Sequence, residues 1–203
     1  MNRFTRTLSL AAGLAAAVAA AWPAGTAHAV ALTGYSSNDP LNTVDDYSGA
    51  QLLSFDLNVH GGSHFELSFA VDAADVAAGS LAFNAIINNF SGLGFPQLNL
   101  LLTGAAFDGA GSVVPSFGTL TQLSQGANGF SALFSPAESA AVYVGDPTLA
   151  GGARIDWSID VSHLTAGDTF SMTLTTVPEP SMLALLLAGG LAGGRVLRRR
   201  GQA

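Results

Sequence analysis

His60 and His64 bracket the run Gly61-Gly62-Ser63, and Glu66 follows two residues later. Two imidazoles and a carboxylate brought to one face form a donor set for Zn²⁺ or Cu²⁺, because neutral imidazole suits those ions and a usable site needs three rigid protein ligands. The same side chains also fit a solvated polar face at the tip of a hairpin. His163 lies far along the chain, and spacing alone does not bring it near. A second donor set is purely oxygen. Asp39, Asp45 and Asp46 sit in a loop-like stretch near the N-terminal end, and Asp156, Asp160 and Asp168 flank the last alternating runs. Hard carboxylates suit Ca²⁺, yet there is no EF-hand loop and no glycine-aspartate repeat. No cofactor is required by these patterns; the ions they allow are Zn²⁺ or Cu²⁺ at the histidines and Ca²⁺ at the aspartates.

Other chemistries lack their residues. The chain has no cysteine, which removes thiol nucleophiles, thiolate zinc sites and attached c-type haem. There is no Gly-x-Ser-x-Gly elbow, no His-Glu-x-x-His and no phosphate-cradling loop ending in Gly-Lys-Ser/Thr. Thirteen acids between residues 30 and 177 leave a glycosidase-like pair conceivable, but no motif singles out two of them. The chain therefore reads as non-catalytic.

The elements that must position these side chains are strands. Leu53, Phe55, Leu57 and Val59 alternate with Ser54, Asp56 and Asn58; Phe65, Leu67, Phe69 and Val71 follow the same rule. So do Ile155, Trp157, Ile159 and Val161, and then Phe170, Met172 and Leu174. A period of two means one buried and one wet face. Less regular apolar runs cover 81–87, 98–102, 113–123, 130–134 and 140–144, separated by Gly, Asn, Asp and Pro clusters. Residues 73–78 fit a single helical turn. About nine short strands in one domain predict an all-β fold: a single antiparallel β-sandwich, jelly-roll-like. Trp157 falls in the buried register of its strand, so it is expected in the core rather than on a sugar-binding surface.

Register sharpens the histidine reading. If the first two alternating runs form a hairpin, a three-residue Gly61-Gly62-Ser63 loop sets Phe55 opposite Phe69, Leu57 opposite Leu67 and Val59 opposite Phe65. A two-residue loop would oppose Val59 to His64, apolar against polar. The longer loop makes His60 and His64 cross-strand neighbours beside Glu66.

Both chain ends carry address signals. Arg3 and Arg6 precede an apolar stretch over 8–21, Trp22-Pro23 breaks it, and Ala27-His28-Ala29 fits the small-x-small rule for cleavage before Val30. Residues 1–29 thus read as a signal peptide, its helix recognised by the secretion machinery and cut by signal peptidase. Residues 30–177 make one domain by size. That domain holds one arginine (Arg154) against thirteen acids and no lysine, a formal charge of −12 hidden behind the chain-wide −7. Such a surface repels phosphate backbones and anionic lipid, so nucleic-acid binding is excluded.

Residues 178–203 open with Pro178-Glu179-Pro180, continue through uncharged residues 182–194, and end in a cluster with Arg198, Arg199 and Arg200. Taken over 181–197, with Arg195 reaching the interface, the run spans about 25 Å as a helix, short of the roughly 20 residues a permanent anchor needs. It suits a transient transmembrane helix that is read and then removed.

Motif, apolar segment and arginine cluster in that order resemble the PEP-CTERM family of bacterial exported proteins. The resemblance implies processing by an exosortase, a membrane-embedded transpeptidase-like enzyme of Gram-negative bacteria that make extracellular polysaccharide. It implies passage through the inner membrane, then residence at the cell surface or in the matrix and association with extracellular polysaccharide and biofilm. Phe65-Glu66-Leu67-Ser68-Phe69 also resembles the Phe-x-Asp-x-Phe subgroup, with Glu where Asp stands. The competing readings are a polysaccharide-binding module, with or without dependence on Ca²⁺, and, least favoured, a secreted hydrolase.

Overall fold

The computed structural model describes residues 29–150, 152 and 154–177. Ala27, Pro178, Glu179, Pro180, Arg198, Arg199 and Arg200, with the signal helix and the short transmembrane helix, lie outside the described residues. Among the described residues no helix is long and apolar enough to cross a membrane.

The fold is all-β. Thirteen strands are present among the described residues: β1 (Ala31–Ser37), β2 (Thr43–Asp46), β3 (Leu52–Val59), β4 (His64–Ala70), β5 (Ser80–Asn89), β6 (Phe95–Thr103), β7 (Ala106–Gly109), β8 (Val113–Pro115), β9 (Thr119–Gly126), β10 (Gly129–Glu138), β11 (Ala141–Val144), β12 (Trp157–Asp160) and β13 (Thr169–Val177). One helical turn, α1 (Ala73–Ala78), falls where the sequence places it. Asp72 caps it, accepting from the Ala74 and Asp75 N–H groups, and Gly79 ends it in the left-handed region at φ 81°.

Six strands form one sheet in the order β1-β4-β13-β6-β10-β9, and the second sheet runs β2-β3-β5-β11-β8. In that second sheet β12 shares an edge of β5 with β11 and pairs outward to β7. The inner faces share one core. Phe55 of β3 stacks on Phe69 of β4 at 6.1 Å, and Phe130 of β10 stacks on Trp157 of β12 at 4.5 Å, each pair joining one sheet to the other. Trp157 is fully buried, and its indole N–H donates to the Ser112 carbonyl at 3.1 Å.

Three expectations need correction. The strands number thirteen rather than nine: β1, β2 and β7 are additional, and the run 113–123 divides into β8 and β9. The arrangement is not wholly antiparallel, because β3 and β5 pair in parallel from Leu52–Ala82 to Val59–Asn89. A parallel pair needs a long crossover, which residues 60–79 supply by way of β4 and α1. Lastly, β3 and β4 are not a hairpin. β3 lies between β2 and β5, whereas β4 lies between β1 and β13 in the other sheet. Phe55 does meet Phe69, but across the core rather than across a ladder. Alternation says which face of a strand is buried and is silent about which neighbour fills its edge.

Candidate functional site

The connection between β3 and β4 is an arch that carries the chain from one sheet to the other, and its polar groups are held from the β1–β2 loop. Asn42, almost fully buried, accepts from the His60 N–H at 2.7 Å and the Gly61 N–H at 3.2 Å, and donates to the Gly61 carbonyl at 2.8 Å. Asn38 accepts from the Ser63 and His64 N–H groups at 3.1 and 3.3 Å. Backbone groups that a hairpin would satisfy by a ladder are satisfied here by two side-chain amides. Gly62 sits at φ 72°, and a Cβ there would collide with the Asn38 amide oxygen; a Cβ on Gly61 would collide with the Asp39 carboxylate. The left-handed backbone at Gly62 makes that glycine the one the arch depends on, while a side chain at Gly61 would require the Asp39 carboxylate to move. Asn38 and Asn42 are the residues that sequence reading missed. Their only signal is the turn-rich run Ser37-Asn38-Asp39-Pro40.

This geometry separates the candidate metal ligands. His60 is exposed at the end of β3, its ring stacked on Phe90 at 5.3 Å. His64 and Glu66 lie on the outer face of β4, opposite Thr175 and Thr173 of β13. Among the described residues no group of three or more His, Asp or Glu side chains comes together to hold a metal ion. The expected cross-strand pairing of His60 with His64 rested on a β3–β4 hairpin, and no such ladder forms.

The six aspartates considered for Ca²⁺ serve their own neighbourhoods instead. Asp39 accepts from Leu41 N–H, Asp46 from the Ser48 and Leu32 N–H groups, and Asp45 from the Asn58 amide. Asp156 accepts from Asp146 N–H at 2.7 Å and from the Asn84 amide at 3.2 Å. The Ser162 hydroxyl and N–H hold Asp160 below the usual carboxylate range, and Thr165 does the same for Asp168. His163 points elsewhere, to the Gly104 carbonyl at 3.1 Å.

No protein-family model, curated protein or solved structure matches this chain.

The two sheets differ in chemistry. On the outer face of the six-stranded sheet one row runs His64, Thr175, Asn99, Ser131 and Ser124, across five neighbouring strands. Ser68, Ser171 and Thr103 form a parallel row. Gln97 bonds to both Asn99 and Ser131, at 2.7 and 3.0 Å, so the amides and hydroxyls are mutually oriented. Within these six strands the acids are Glu66 and the buried Glu138. The other acids lie in the second sheet, α1 and the loops. Glu66 at the β4 side apart, one side is thus an uncharged hydroxyl-and-amide surface on a strongly acidic domain.

The acidic side has a measurable signature. Asp56 lies opposite Asp45 across the β2–β3 ladder. Burial, and secondarily the Asp45 charge, push its carboxyl above the usual range. A carboxyl raised on folding favours the protonated native state, so stability is lost as pH rises through the carboxylate range and upward. Asp56→Asn is expected to melt at higher temperature than the parent at pH 7. The difference should shrink to nothing below about pH 4, where the parent carboxyl is protonated in both states. Equal melting at pH 7 would remove this assignment.

Proposed function

We propose that this chain is an exported, exosortase-processed, non-catalytic protein of the cell surface or extracellular matrix, whose domain is a jelly-roll-like β-sandwich. The observation that carries the reading is the tail: Pro178-Glu179-Pro180, then an apolar run, then the arginine cluster, starting on the residue after β13 ends. β13 is an interior strand, paired to β4 as far as Thr175 and to β6 as far as Val177. A cut at the motif therefore removes no residue of the sheet. At the other end β1 begins two residues after Ala29, and the Val30 side chain is buried. Signal peptidase needs an extended, accessible substrate, so cleavage between Ala29 and Val30 precedes the docking of β1.

A second reading, a polysaccharide-binding module, is favoured by the neutral outer face of the six-stranded sheet. Hydroxyls and amides offer both donors and acceptors to sugar hydroxyls without the repulsion that the acidic remainder would impose on acidic polymers. The purified secreted protein should co-sediment with uncharged polysaccharide. Thr175→Asp should lower the bound fraction several-fold, whereas EDTA should leave it unchanged. Loss of binding on EDTA would restore a Ca²⁺-dependent mode, and indifference to every polysaccharide tried would remove the binding reading altogether.

A further inference from the structure

An exposed sheet edge presents unpaired N–H and C=O groups to any strand that can reach it, and proteins ordinarily block such edges. Four of the five edges among the described strands are blocked. β2 is four residues long and carries Asp45 and Asp46, and β8 is three residues long and ends in Pro115. β7 is four residues long, carries Asp108, and its Phe107 N–H already donates to the Ala127 carbonyl at 2.6 Å. β1 is interrupted by a bulge between Leu32 and Gly34, and its Leu32 N–H is already bonded to the Asp46 carboxylate at 3.2 Å.

β9 has none of these defences. It runs for eight residues, Thr-Leu-Thr-Gln-Leu-Ser-Gln-Gly, with no charge and no proline, and nearly all of it is exposed. The two-residue turn at Ala127-Asn128 makes Gly126 and Gly129 the closing pair of the β9–β10 ladder. Ser124 with Ser131 is then the next bonded pair, which turns the N–H and C=O of Leu123 and Gln125 away from β10. Those groups have no partner among the described residues.

We propose that β9 is a self-association edge: two copies of this chain pair antiparallel through β9 about a two-fold axis at Leu123. Charge selects the occupant. At −12 per domain, like-to-like approach is repelled over most of the surface, and a two-fold contact places each patch against itself. β6, β10 and β9 carry no charged residue except Glu138, which is fully buried. The one undefended edge therefore coincides with the one surface that can meet its own copy without repulsion. Pairing at Leu123 also sets two half-exposed leucines together, each otherwise facing water at 37 % exposure.

The absence of native cysteine makes the test clean. In the full chain, Leu123→Cys should form a disulfide-linked dimer under diamide roughly a thousand-fold faster than Tyr47→Cys, the ratio of a millimolar local thiol concentration to a micromolar bulk one. Tyr47 is a fair control because it is 60 % exposed and lies on the other sheet's side. By sedimentation the parent should run at twice the mass of Leu123→Lys, which places a charge at the centre of the contact while leaving the β9–β10 ladder intact. Equal cross-linking at the two cysteines, or a dimer that survives Leu123→Lys with unchanged melting, would overturn the proposal.

Discussion

Replacing Pro178 and Glu179 together by alanine is expected to move the protein from the secreted fraction to the membrane fraction almost completely. The reason lies in the division of labour along the tail. On the proposed reading, the run over 181–197 holds the chain in the bilayer for a time and the arginines beyond it stay on the cytoplasmic side. Nothing in such a segment releases itself; release requires an enzyme that reads a motif. The motif abuts Val177, where the chain leaves an interior strand, so the substitutions disturb no sheet pairing. Unaltered secretion by the double variant would mean that the tripeptide is only a joint. Fractionation followed by blotting for the domain distinguishes the two outcomes.

The second large effect is on stability. Glu138→Ala is expected to lower the unfolding free energy by about 3–5 kcal/mol, read from urea denaturation. Glu138 is fully buried, with no ion pair among the described residues; its carboxylate oxygens accept from the Phe117 and Gly118 N–H groups at 2.9 and 3.1 Å and from the Ala140 N–H at 2.7 Å. Three backbone donors thus neutralise one charge, and they tie the β8–β9 loop to the turn after β10. Alanine would leave all three without their acceptor. Glutamine keeps one acceptor oxygen and should cost about half as much. Gly118 completes the arrangement, since a Cβ there would strike the Pro136 carbonyl and push the loop off the carboxylate. A loss below about 1 kcal/mol for Glu138→Ala would show that water replaces the carboxylate freely. Because domain stabilities are only about 5–15 kcal/mol, the expected loss is a large share of the total.

How far the fold could be read from the sequence depended on the length and regularity of each run. β3, β4, β12 and β13 announce themselves by alternation, and Trp157 was correctly assigned to the core. The helical turn at α1 follows from Asp72 before it and Gly79 after it. β1 escapes because its bulge at Gly34 breaks the alternation, and β2 and β7 because four residues are too few to show a period. Ile155, taken as the first inward residue of its strand, is 63 % exposed ahead of β12.

The largest error was topological and carried the site with it. A hairpin and an arch demand the same parity of side chains, so the pairing of Phe55 with Phe69 fits both. What selects the arch is a pair of asparagines some 20 residues upstream, Asn38 and Asn42, that hold its backbone. No local pattern around His60 and His64 contains that information. Glu138 escaped for a related reason: its role is set by N–H groups about twenty residues earlier in the chain.

The account rests most heavily on the two processing events, and the intact mass of the protein recovered outside the producing cell tests both at once. The expected species begins at Val30 and ends at or close to Pro178, with any added mass reporting covalent attachment at the new C-terminus. A secreted protein whose mass still includes Arg198, Arg199 and Arg200 would contradict the sorting reading directly.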